Sequence, residues 1–204
     1  MIIKVCGMRE AENIREVELL GVNMIGFIFY PKSPRYVDEM PGYLPEQAKR
    51  VGIFVNESKE MVLTLADRFG LDYIQLHGTE SPGYCKSIKN AGPGVIKAFP
   101  IGGIPDLHNV KEYEGTCDYY LFDTKTHHKH GGTGKQFDWS VLSFYHGKTP
   151  FLLSGGINPF SARALTEFHH EALAGYDLNS RFESAPGVKN IQLLSSFLDD
   201  LKNK

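Results

Sequence analysis

The sequence predicts an α/β protein of the TIM (β/α)8 barrel class, a single domain over residues 1–204, and three observations predict it. Eight short apolar runs rich in β-branched and aromatic residues recur along the chain, each followed by a turn signal and most by a segment with helical apolar spacing. The runs are continuous rather than alternating, as in parallel strands covered on both sides. Their mean repeat of about 25 residues suits a compact closed barrel, with a doubly wound open sheet as the structural alternative. No Pro- or Ser-rich linker and no shift of composition marks a domain boundary.

The first run, Ile2–Val5, precedes a helix over Ala11–Leu20, and the second, Met24–Phe29, precedes one over Pro45–Arg50. Val51–Val55 leads into Ser58–Phe69, where Met61, Val62, Leu65 and Phe69 share one helical face. Tyr73–Leu76 is followed by a helix over Pro82–Asn90, Val95–Phe99 by Asp106–Glu112, and Tyr119–Phe122 by Trp139–Phe144. Phe151–Leu153 with Ser161–Phe168, then Leu173–Leu178 with Ile191–Leu201, complete the set.

Composition narrows the function classes. Apolar residues make up 42% and charged residues 23%, ordinary globular values. A formal charge of -2 supplies no basic field for nucleic acid, so anion binding must come from local geometry and the expected partner is a small molecule. No stretch reaches the roughly 18 to 20 apolar residues of a membrane helix. Three widely spaced cysteines, Cys6, Cys85 and Cys117, with no CxxC pair and no secretory segment, point to a reducing cytoplasm. Whether the chain is a monomer or a homodimer stays open.

In a closed barrel the chemistry gathers at the C-terminal ends of the strands. After strand one comes Cys6-Gly7-Met8; a thiol near a helix N-terminus can have its pKa lowered and act as base or nucleophile, the alternative being a buried structural cysteine. Cys85 and Cys117 are read as structural. Strand six ends in Leu121-Phe122-Asp123, and a carboxyl group with apolar walls can serve as general acid; a turn-capping role is the alternative. The following Gly131-Gly132-Thr133-Gly134 is suited to close over a ligand. Prolines 31 and 34 stiffen the loop that carries Arg35, whose planar fork matches a carboxylate. His77, in Gln75-Leu76-His77-Gly78, faces the same rim and can contact substrate or be a packed histidine. Ser154-Gly155-Gly156-Ile157-Asn158 and Asp177-Leu178-Asn179-Ser180-Arg181 follow strands seven and eight, where such barrels often build a phosphate cradle. The cluster His127-His128-Lys129-His130 lacks the spacing of a defined metal site, and no metal is expected.

Together these segments resemble the phosphoribosylanthranilate isomerase family over nearly the whole chain. The resemblance rests on Lys4-Val5-Cys6-Gly7, Gly26-Phe27-Ile28-Phe29 with Ser33-Pro34-Arg35, Val51-Gly52-Ile53-Phe54-Val55-Asn56 and Gln75-Leu76-His77-Gly78. It continues in Gly131-Gly132-Thr133-Gly134 with Phe137-Asp138-Trp139, in Ser154-Gly155-Gly156-Ile157, and in Asp177-Leu178-Asn179-Ser180 through Glu183, Pro186 and Gly187. It implies an Amadori rearrangement of phosphoribosylanthranilate in tryptophan biosynthesis, without metal or cofactor. On it Cys6 is the general base, Asp123 the general acid, Arg35 the holder of the anthranilate carboxylate, and the loops at Gly155-Gly156 and Asn179-Ser180 the phosphate site. The histidine-rich stretch before Gly131 and the pair Arg181-Phe182, where Gly-Val is also common, depart from the family pattern.

Two rivals stay open at this point. A related histidine-pathway aldose–ketose isomerase is expected to place an aspartate after strand one, where Cys6 stands. A non-catalytic phosphate-ligand barrel would bind without turnover.

Overall fold

The computed structural model describes residues 1–124 and 138–202. Eight parallel strands, β1 (Ile2–Cys6), β2 (Met24–Ile28), β3 (Lys49–Phe54), β4 (Tyr73–Leu76), β5 (Gly94–Ile101), β6 (Tyr119–Thr124), β7 (Phe151–Leu153) and β8 (Leu173–Leu178), close into a barrel in sequence order. The closing pair is β1 with β8, which places Lys4 opposite Asp177. Around the barrel lie α1 (Ala11–Leu19), α2 (Lys59–Phe69), α3 (Pro82–Lys89), α4 (Ala162–Glu167) and α5 (Ile191–Lys202). A small antiparallel pair, β9 (Glu183–Ala185) with β10 (Val188–Lys189), sits between β8 and α5. Among the described residues no helix is long and apolar enough to cross a membrane.

Local chemistry explains the helix starts. Ser58 and Ser81 accept hydrogen bonds from the backbone N–H groups of Met61 and Tyr84, so α2 and α3 begin where a serine satisfies a free amide. Gly70, at φ 58°, ends α2 in the left-handed conformation that a helix C-terminus favours.

Three helical expectations are corrected. The stretch from Pro45 to Arg50 is not a helix; it is a loop running into β3. Glu18 of α1 accepts hydrogen bonds from Gln47 N and Ala48 N at 2.7 and 2.8 Å, and Arg50 Nε donates to Pro45 O. These bonds satisfy the backbone from outside the segment, where a helix of six residues would have been marginal by itself. The segments expected at Asp106–Glu112 and Trp139–Phe144 are 3-10 helices, spanning Ile104–Tyr113 and Trp139–Phe144.

The core has two compartments. Most buried apolar side chains, among them Phe27, Phe54, Phe69, Tyr120, Phe122, Phe151 and Phe197, fill the layer between the sheet and its outer cover. Inside the barrel a smaller cluster of Cys6, Met24, Val51, Ile53, Ile96, Ala98, Leu121 and Leu152 plugs the lumen. Alternation along each strand sends every second residue into that lumen.

β8 breaks this rule usefully. Ala174 packs against the lumen cluster, and Asp177, three residues on, also points inward to Lys4. An irregularity in the pairing of β7 with β8 absorbs the extra residue, since Phe151 pairs with Leu173 but Leu152 with Gly175. Gly175 permits it, because a Cβ there would lie 2.0 Å from Ile2 O.

Candidate active site

Cys6 is the last residue of β1 and its thiol is buried at the top of the lumen, 4% exposed. The expectation of a helix terminus beside it is corrected. Helix α1 begins only at Ala11, and Gly7 N and Met8 N donate instead to Gly26 O at 2.9 and 3.0 Å. The expected depression of its pKa is corrected as well. Burial pushes the thiol above its ordinary value, while the ammonium of Lys4 pulls it back, Asp177 adds to the rise and Lys189 opposes it.

Lys4 lies two residues before Cys6 on the same strand and therefore on the same face. It is fully buried and donates to Asp177 Oδ1 at 2.8 Å. Desolvation draws its pKa down, but Asp177 and Cys6 outweigh that and hold the ammonium above the usual lysine value. Asp177, within the strand expected over Leu173–Leu178, is an inward residue of β8.

A second charged group closes over β1. Arg35 donates from Nε to Glu183 Oε1 at 2.8 Å and from Nη2 to Oε2 at 2.6 Å, a bidentate pair. Lys189 Nζ donates to the same carboxylate at 2.6 Å and to Asn179 Oδ1 at 2.8 Å. Burial raises the Glu183 pKa, but the bonds from Arg35 and Lys189 more than offset it and hold the carboxyl below its usual range. Gly7 makes the approach possible: at φ +77° it is in a glycine conformation, and a Cβ would lie 2.6 Å from Arg35 Cδ and 2.9 Å from Asn179 Oδ1.

Across the mouth, Asp123 sits near the end of β6 with its side chain 17% exposed. Its Oδ1 accepts from Thr124 N at 2.8 Å, and its Oδ2 faces His77 Nε2 at 3.5 Å. Gly155 and Gly156, both with positive φ, turn the chain after β7; a Cβ on Gly155 would lie 2.3 Å from Thr124 Oγ1 and 2.7 Å from Asp123 Oδ1. The glycine turn therefore lies directly against the Asp123 carboxyl group. Ser180 opens a three-residue 3-10 helix, and Asn179 turns its side-chain oxygen to Lys189.

Asp177, bonded to Lys4, lies within electrostatic reach of Cys6, Asp123 and His77. The mouth thus brings together Cys6, Arg35, His77, Asp123, Gly155, Asp177 and Asn179. Cys85 and Cys117 are buried away from it, as a structural role requires. The glycine loop at Gly131–Gly134 and the His127–His130 cluster lie outside the described residues.

Lys4, Gln75, Glu183 and Lys189 are members of this constellation that motif reading did not single out. The signal for the first two was a polar residue inside a run otherwise suited to full burial. Glu183 carried only the family pattern, and Lys189 carried no signal.

A closed (β/α)8 barrel with a thiol, a carboxyl group, fixed cations and glycine turns at the C-terminal mouth defines an acid–base enzyme of the phosphosugar-handling class. The chain matches the family model for N-(5'-phosphoribosyl)anthranilate (PRA) isomerase over residues 3–200, and it belongs to that family. It is 55% identical to the N-(5'-phosphoribosyl)anthranilate isomerase of Phocaeicola vulgatus, over all of this chain and 99% of that one. The crystal structure of the enzyme from Thermotoga maritima superposes with a TM-score of 0.85 at 32% identity, covering both chains completely. A phosphoribosyl anthranilate isomerase crystallised with reduced 1-(o-carboxyphenylamino)-1-deoxyribulose 5-phosphate gives 0.83 at 30% identity, again over both whole chains.

Proposed function

We infer that this chain acts as one catalytic domain and isomerises N-(5'-phosphoribosyl)anthranilate to 1-(o-carboxyphenylamino)-1-deoxyribulose 5-phosphate in tryptophan biosynthesis. The observation that supports the assignment of roles is that Cys6 ends β1 in the same lumen cluster as Leu121, two residues before Asp123 on the same face of β6.

In this reading Asp123 gives its proton to the furanose ring oxygen, and the C1–O bond breaks to leave a Schiff base between C1 and the anilino nitrogen. The electron-poor imine acidifies the C2 proton, which the Cys6 thiolate removes. The resulting enolamine tautomerises to the amino-ketose, so protons move but no electron acceptor is consumed. An acid and a base of this kind each contribute about 10²–10⁴-fold.

Arg35 keeps Nη1 without a hydrogen-bond partner among the described residues, and that edge is assigned to the anthranilate carboxylate. His77 borders the sugar, and the turns at Gly155-Gly156 and Asn179-Ser180 are assigned to the phosphate. Arg35 and the two turns supply orientation rather than chemistry.

The test follows the fluorescence decay of freshly prepared phosphoribosylanthranilate with the purified protein, with and without a chelator. Decay to the amino-ketose at equal rates in both arms is expected; binding without turnover would return the non-catalytic reading.

A further inference from the structure

We propose that Gln75 fixes the proton of His77 on Nε2, aimed at Asp123, so that His77 steadies the carboxylate left when Asp123 protonates the sugar ring. The inference rests on the reading of Asp123 as the general acid. Gln75 is a positioning residue in it, acting through His77.

Gln75 and His77 are two apart along the end of β4 and turn to the same side. Gln75 is 1% exposed, and its barrel neighbours in register are Ile53 and Ile96. An amide walled by isoleucines costs free energy unless its hydrogen bonds are used. One is used: Gln75 Nε2 lies 3.0 Å from His77 Nδ1, while Oε1 is buried with no partner among the described residues.

The amide nitrogen is only a donor, so the ring nitrogen facing it must present its lone pair. In a neutral imidazole the single proton then sits on Nε2, which faces Asp123 Oδ2 at 3.5 Å. The other carboxyl oxygen already accepts from Thr124 N. Asp123 thus has one N–H directed at each oxygen, an arrangement that favours the negative charge appearing as the proton leaves. The opposite tautomer would turn a lone pair toward that charge. The 3.5 Å separation is long for a hydrogen bond, and such contacts commonly shorten when substrate fills the site.

The experiment measures the tautomer directly. In ¹⁵N-labelled wild-type protein, the His77 ring, assigned by comparison with His77→Asn, is expected to show the Nε2–H pattern; an Nδ1–H ring or an imidazolium overturns the proposal. Gln75→Glu replaces the donor by an acceptor, which draws the proton to Nδ1. It is expected to lower kcat about ten- to hundred-fold with KM held within about two-fold, and unchanged kcat overturns the proposal. If that variant does not fold, Gln75→Met serves: a mixed-tautomer ring is expected, and an unaltered Nε2–H pattern overturns the role of Gln75. Undiminished turnover in Asp123→Asn would remove the acid assignment separately, leaving the measured tautomer to judge Gln75.

Discussion

The two sides of the barrel mouth are built on opposite principles. On the β1–β8 side the thiol is enclosed by charges that are themselves buried and mutually bonded: Lys4 with Asp177, and Glu183 with Arg35 and Lys189. On the β4–β6 side Asp123 is partly exposed and faces His77, itself 26% exposed, across 3.5 Å. The difference suits the roles proposed for the two groups. Burial favours the neutral thiol of Cys6, and the ammonium groups of Lys4 and Lys189 oppose that rise without cancelling it, so a base in this place depends on them to give up its proton. An acid that must deliver a proton and regain it needs reach and access to solvent.

The largest effect is expected from removing either of the two groups proposed to react. Cys6→Ser and Asp123→Asn are each expected to reduce turnover about 10²–10⁴-fold while product affinity, measured by titration, stays close to wild type. Undiminished turnover in one of them would remove that residue from the chemistry and erase the contrast between the sides.

Asp177→Asn probes the enclosed side through stability. It leaves the fully buried Lys4 ammonium without its counter-charge, and breaking a buried pair in this way costs about 3–5 kcal/mol. The urea midpoint should fall accordingly; an unchanged midpoint would mean that Lys4 does not need Asp177 to remain buried.

Arg35→Ala should raise KM roughly ten- to hundred-fold, the loss of one charge-assisted hydrogen-bonded contact, with a smaller change in kcat. An unchanged KM would refute its carboxylate role.

The smallest effect is a pH dependence. Glu183 has a folded pKa below its ordinary 4.5, so its contribution to stability is fully present above that value and lost as pH falls through the folded one. Glu183→Gln should therefore unfold with a shallower pH dependence in acid than wild type. Parallel acid-unfolding curves would show that the pair with Arg35 adds nothing to stability.

Much of this molecule was legible from residue order. Strand cores fell where β-branched and aromatic residues ran together, because that is a preference of a few consecutive residues. The candidate acid, base and anion-binding loops were found because a barrel gathers its strand ends on one face. The extent of β1 mattered more than its existence: Cys6 belongs to the strand, so its surroundings are lumen charges and not a helix terminus.

The sequence by itself determined eight strands in order and a short set of groups at their ends, since both follow from local pattern. Only the tertiary structure decided which charges meet. Arg35 and Glu183 are 148 residues apart and Lys4 and Asp177 are 173 apart, and Asp177 faces inward because one extra residue in β8 shifts the alternation. Glu18 likewise replaced an expected helix by binding amides about 30 residues away. Contacts of that reach depend on closure of the barrel, and no window of neighbouring residues contains them.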